Sequence, residues 1–209
     1  MTRSTRERIV DEALRLFAER GYAATSVAEI EAASGLSPGA GGLYRHFKSK
    51  YDVLAAAINE HAARTREQIA VSLAEVEAAE SLPLETRLAI LCKVGLAKVK
   101  EERELTRVFF RDLSQFPELV QAVREGLLQP MYDAITTWFR VQPEFAGVDQ
   151  DWPAVGAVLG GAVVHYWMFL DTVDEPPGQV DRDRFVQSWV RLALGMLSET
   201  RETSPVTSA

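Results

Sequence analysis

Residues 21–58 read GYAATSVAEIEAASGLSPGAGGLYRHFKSKYDVLAAAI, and this stretch decides the fold. Ser26 with Glu29 three positions on is a capping-box pattern, and Val27, Ile30 and Ala33 then recur at helical spacing. Gly35 ends that short helix. Ser37 and Pro38 supply a cap and an N1 residue for another, expected to run from Ser37 to Arg45 or His46. Phe47 is positioned to plug a small core. Ser49 and Asp52 open a further long helix through Leu54, Ile58, Ala62 and Ile69.

Upstream, Ser4 and Glu7 repeat the capping pattern. Ile9, Val10, Ala13, Leu14, Phe17 and Ala18 form one apolar stripe over Thr5–Arg20, and Gly21 falls where a helix C-terminus wants a glycine. Three short helices with a tight turn at Ala33-Ser34-Gly35-Leu36-Ser37 make a helix-turn-helix.

Charge sharpens that reading. The chain carries 23 Lys and Arg against 30 Asp and Glu, a formal net charge of −7, so its bulk surface repels nucleic acid. No acidic residue occurs from Ala32 to Tyr51, where Arg45, His46, Lys48 and Lys50 lie. A locally basic edge on an acidic chain is the footprint of phosphate binding.

The remainder also reads as helical, giving an all-α chain with helices expected near Leu84–Lys100, Arg103–Ser114, Glu118–Val141, Pro153–Asp171 and Arg182–Leu197. Breakers separate them at Pro83, Pro117, Pro143 with Gly147, and Pro176-Pro177-Gly178. The expected organisation is a DNA-binding domain over residues 1–48, a larger helical domain over 49–200, and a polar, disordered tail over 201–209. Trp152–Leu170 carries no formal charge. Its proline, glycines and acidic flanks argue for a helix covered by protein on both faces rather than by lipid. No membrane association is expected. The N-terminus has no apolar h-region, so no signal peptide is expected, and the single Cys92 excludes an intramolecular disulfide; both suit the cytoplasm.

Residues 8–60 resemble the N-terminal signature of the TetR family of transcriptional regulators. The resemblance rests on Gly21-Tyr22, Thr25-Ser26-Val27, Ile30, Ala33, Gly35, Leu43-Tyr44-Arg45-His46-Phe47 and Ser49-Lys50. One departure stands out. The family has about six residues between the turn glycine and the tyrosine, whereas here the segment from Gly35 to Tyr44 is two residues longer and rich in glycine.

The resemblance implies a homodimeric, ligand-responsive regulator of double-stranded DNA, most simply a repressor, reading a partly palindromic operator. Tyr44, His46 and Lys50 would meet phosphates. Thr25 or Ser26 would offer hydroxyl and amide groups to the other strand, and Arg45 is the one long polar side chain able to read a guanine edge. Ser37, Pro38, Gly39, Ala40, Gly41 and Gly42 would lie in the groove as close backbone or methyl contacts. The last two helices would form a four-helix bundle with those of a second subunit. Gly156, Gly160 and Gly161 would permit close helix approach, with Val190 and Leu194 as seam candidates. A small-molecule effector, flat or apolar, would meet Arg107, Phe109, Phe110, Tyr132, Trp138, His165, Trp167 and Phe169, and would tilt the helix beginning at Ser49 as a lever.

No Gly-rich phosphate loop, HExxH, GxSxG or CxxC is present, and His165 and Cys92 have no cluster of ligands around them. No catalysis, metal or cofactor is expected. A helical protein–protein adaptor without DNA binding and a TetR-type activator are the alternative readings.

Overall fold

A computed structural model describes residues 3–77 and 81–197. Among these residues every regular element is helical: α1 (Thr5–Arg20), α2 (Val27–Ala33), α3 (Lys50–Glu77), α4 (Leu84–Glu101), α5 (Arg103–Arg111), α6 (Pro117–Val123), α7 (Gln129–Val141), α8 (Trp152–Val173) and α9 (Arg182–Gly195), with short 3-10 turns between some of them. The tail expected to be disordered, 201–209, lies outside the described residues.

The chain forms two compact units, Met1–Glu67 with Glu102–Gln129, and Gln68–Glu101 with Pro130–Ala209. This division differs from a single cut after residue 48. The first unit takes in α5 and α6, because their apolar faces complete the core of the N-terminal helices. Leu105, Val108, Leu113 and Leu119 are buried with Ile9, Leu14, Phe17, Ile30, Leu43, Leu54 and Ile58. Polar contacts fix the same join. Asp112 accepts from the Tyr22 amide at 3.2 Å, and Arg111 donates to the Phe17 carbonyl.

Local signals explain the helix starts. Ser4 and Glu7 close a reciprocal capping box on α1, as Ser26 and Glu29 do on α2. The Ser49 hydroxyl accepts the Asp52 amide at 3.1 Å ahead of α3. Gly21 ends α1 at φ +94°, a conformation that side-chain-bearing residues rarely adopt. The long helix expected over Glu118–Val141 runs without interruption as α6, a π-helical turn, Arg124–Leu128, and α7. There Gly126 lies so close to α3 that a Cβ on it would sit 3.1 Å from the Ala62 methyl.

In the second unit α8 and α9 both pack on α4. Leu88, Cys92, Phe139, Val163, Trp189, Val190 and Ala193 form the core, with Phe139 stacked on Trp152 at 5.9 Å. The Trp189 indole donates to the Leu159 carbonyl at 2.9 Å, and the Tyr166 hydroxyl to the Val180 carbonyl at 3.1 Å. The glycines of α8 behave differently from expectation. A Cβ on Gly156 would stand 3.0 Å from the Thr136 hydroxyl, and one on Gly160 would stand 3.3 Å from Tyr132 and Ile135. Both therefore serve the packing of α8 on α7, and only Gly161 faces open space.

Candidate nucleic-acid interface

The segment expected to be a third helix is not one. After α2 the chain turns at Ser34–Leu36, runs through irregular backbone from Ser37 to Gly42, and makes a single 3-10 turn, Leu43–Arg45. The reason lies in the two extra residues and the glycines. Gly39 and Gly41 sit at φ +73° and +74°, left-handed values that no helix contains. From Ser37 onward no α-type bond, amide to the fourth carbonyl back, forms until the Phe47 amide reaches the Leu43 carbonyl at 3.0 Å.

What holds this loop is Glu31, a residue that sequence reasoning missed. It lies in the last turn of α2 and is 0% exposed. One carboxylate oxygen accepts from the Gly39 amide at 2.7 Å and the other from the Leu43 amide at 3.0 Å. In a helix the Leu43 amide would bond the Gly39 carbonyl; here Glu31 takes that amide instead. A signal was available: Glu31 stands four residues after Val27 and next to Ile30, on the side of α2 that faces inward.

The loop leaves Ser37, Pro38, Gly39, Ala40, Tyr44, Arg45, His46 and Lys48 exposed, Tyr44 at 56%, while Gly41 and Gly42 are half-buried. Among the described residues Arg45 and Lys48 make no ion pair, whereas Arg6 is bound to Glu60 at 2.5 Å and Arg20 to Glu29 at 2.6 Å. Positive charge not committed to an ion pair thus lies beside the loop. Leu43 and Phe47, buried on either side of Tyr44 and Arg45, root the 3-10 turn in the core.

Two expected phosphate contacts are spent elsewhere. Thr25 is 1% exposed, and its hydroxyl donates to the Gly21 carbonyl at 2.8 Å. Lys50 is half-buried and turns inward. Its ammonium donates to the Tyr22 and Thr25 carbonyls, both at 2.7 Å, and lies 4.3 Å from the centre of the Tyr22 ring. Burial lowers its proton affinity, with the Glu29 charge opposing. Lys50 is therefore a clasp on the α1–α2 connection. Ser26 stays exposed, but its hydroxyl is shared with the Glu29 cap.

The residues expected to meet an effector fall in both units. Arg107, Phe109 and Phe110 belong to the first, where Phe109 packs on the core and Phe110 is exposed. Tyr132, Trp138, His165, Trp167 and Phe169 belong to the second. Trp138 is buried edge-on to Phe139 and Trp167 is also buried, whereas His165 and Phe169 are exposed, 6.2 Å apart between ring centres.

A capped helix, a glycine turn and an exposed basic segment rooted by two core residues define a DNA-binding domain of the helix-turn-helix class, with its second helix opened into a loop. Residues 9–57 match the profile of bacterial regulatory proteins of the tetR family. The HTH-type transcriptional regulator AcrR of Shigella flexneri is 34% identical over 136 residues, 63% of this chain and 60% of AcrR. The uncharacterized HTH-type regulator YerO of Bacillus subtilis is 48% identical over 52 residues, 25% of this chain and 17% of YerO. The chain thus spans less than two thirds of the length of these relatives. A tetR-family regulator structure from Mesorhizobium loti superposes with TM-score 0.71 over 93% of this chain and 98% of that one, at 21% identity. Residues 9–57 are thus similar to the N-terminal domain of the tetR family, and the chain shares its fold with the Mesorhizobium loti protein.

Proposed function

We propose that the protein is a dimeric, cytoplasmic transcriptional repressor that binds a partly palindromic DNA operator through Tyr44, Arg45, His46, Lys48 and the 37–42 loop, and that leaves it when a small aromatic or apolar effector binds. The observation that carries the DNA part is the exposed, unpaired positive charge of Arg45 and Lys48 beside a loop of bare backbone on a chain of net charge −7. Phosphate contacts fix register, and Arg45 has the reach and the forked donors to read a guanine. The similarity of residues 9–57 to the tetR family supports regulation as the use of that binding.

Dimerisation is supported by the second unit. α8 is long and apolar enough by composition to cross a membrane, yet only a third of its most apolar window is buried within the chain. Val158 on α8 and Leu192 on α9 are 70% and 71% exposed, and Gly161 and Gly195 face open space. A second copy laid against these helices would cover that surface. Effector binding rests on Tyr132, His165, Trp167 and Phe169 of this unit. Its proposed effect is to shift α3 so that two recognition loops no longer match major grooves about 34–36 Å apart.

Selection from a random-sequence duplex pool tests the DNA reading. Enrichment of a two-fold repeated half-site supports it. A protein that stays dimeric and folded but enriches nothing refutes it.

A further inference from the structure

We propose that Glu31 is a positioning residue for DNA recognition: by binding the Gly39 and Leu43 amides it holds the 37–42 segment as a rigid loop that presents backbone, rather than side chains, to the base edges. The inference rests on the DNA-binding reading above and goes beyond it. It assigns the shape of the reading surface to a residue that does not touch DNA.

The position of Glu31 is costly for α2 itself. An acidic group in the last turn of a helix opposes the helix dipole, and burying it takes two acceptor oxygens out of water. α2 already has its cap at the other end, from Ser26 and Glu29. What offsets the cost is the loop. The backbone from Ser37 to Gly42 supplies one acceptor to its own amides, the Ser37 carbonyl, which accepts from Ala40 at 3.2 Å. The amides of Gly39 and Leu43 find their acceptors on one side chain, four residues apart, which fixes the path of everything between them. Those intervening residues are Ala40, Gly41 and Gly42, with no hydrogen-bonding side chain among them. Leu43 is at the same time anchored in the core at 0% exposure, and Gly42 is pressed on Leu36, where a Cβ would stand 3.3 Å from a methyl. A loop held at both ends, with only backbone and a methyl between, reads a groove by shape and close approach, and its discrimination depends on rigidity.

The experiment uses the full-length protein and two duplexes: one selected by the wild type from a random pool, and a scrambled duplex of the same composition. Glu31→Gln keeps the shape but replaces one acceptor with a donor facing an amide. Glu31→Ala leaves room for water to satisfy both amides. The expected result is a loss of about tenfold or more on the selected duplex, about 1.4 kcal/mol, with the scrambled duplex bound within about twofold of wild type. Amide exchange at Gly39 and Leu43 should accelerate while Ile30 and Leu54 stay protected. A residue that served stability alone would lower binding to both duplexes equally. That outcome, variants that both fail to fold, or unchanged discrimination would each overturn the inference. A wild type that enriches no sequence overturns the DNA-binding reading itself, and the inference with it.

Discussion

Replacing Lys50 with methionine separates an inward clasp from a phosphate contact. Methionine keeps the apolar stem and removes the ammonium, and with it two 2.7 Å bonds to the Tyr22 and Thr25 carbonyls and the contact with the Tyr22 ring. Hydrogen bonds from a charged donor contribute about 1.5 kcal/mol each at the low end suited to a half-buried site. The ring adds about 0.5 kcal/mol, and the freed side chain regains about 1.5 kcal/mol of entropy. The net loss is about 2 kcal/mol in the first unit. All four tryptophans, Trp138, Trp152, Trp167 and Trp189, lie in the second unit, so indole fluorescence will not follow this change. Native-state amide exchange at Val53, Leu54 and Ile58 will, and should accelerate about thirtyfold. DNA affinity measured over a salt series should keep its slope. A slope flattened by about 0.9, with amide protection intact, would mean that Lys50 faces a phosphate and would refute the reasoning.

Three further outcomes are expected. Gly41→Ala forces a left-handed alanine at φ +74° and should destabilise the loop by about 1 to 2 kcal/mol, weakening binding to a selected duplex; tighter binding would show that glycine flexibility, not the loop's shape, limits affinity. Burial pushes the Cys92 thiol up to about 12, so at about pH 8 iodoacetamide should leave the folded protein unlabelled and modify it after denaturation, as mass spectrometry reads directly; rapid labelling of the native state would contradict the packing of α4. Leu192→Arg should convert a species of twice the 23.2 kDa chain mass into one of that mass by light scattering with helicity retained, and an unaltered dimer would move the seam off α9.

The sequence was readable wherever a local rule fixes the structure. Ser4 with Glu7, Ser26 with Glu29, and Ser49 with Asp52 mark helix starts because each pair satisfies amides within one turn, and all three bonds form. Pro38 after Ser37 obeys the same rule and misleads, because the glycines beyond it and a carboxylate from another element decide the outcome. Glu31, Thr25 and Lys50 act through partners between 4 and 28 positions away, and neither residue type nor spacing reveals which carbonyl or amide they will meet. Val190 and Leu194 illustrate the remaining ambiguity. On an apolar helix the sequence does not say which face meets its own chain. Val190 is buried against the core, and neighbouring Leu192 is the residue left outside. Of the α8 glycines read as sites of close approach, Gly156 and Gly160 are such sites, but the approaching helix is α7 of the same chain, and a Cβ on Gly161 would have no neighbour within 4 Å.

Hydroxyl-radical footprinting of the full-length protein on its selected duplex tests the central claim most directly. A dimer presenting two identical loops should protect two symmetric patches on one face of the duplex, centred about one helical turn, or a whole number of turns, apart. Arg45→Ala should alter the preferred bases within each patch while leaving the spacing unchanged. A single asymmetric patch, or protection spread evenly along the duplex, would contradict the account.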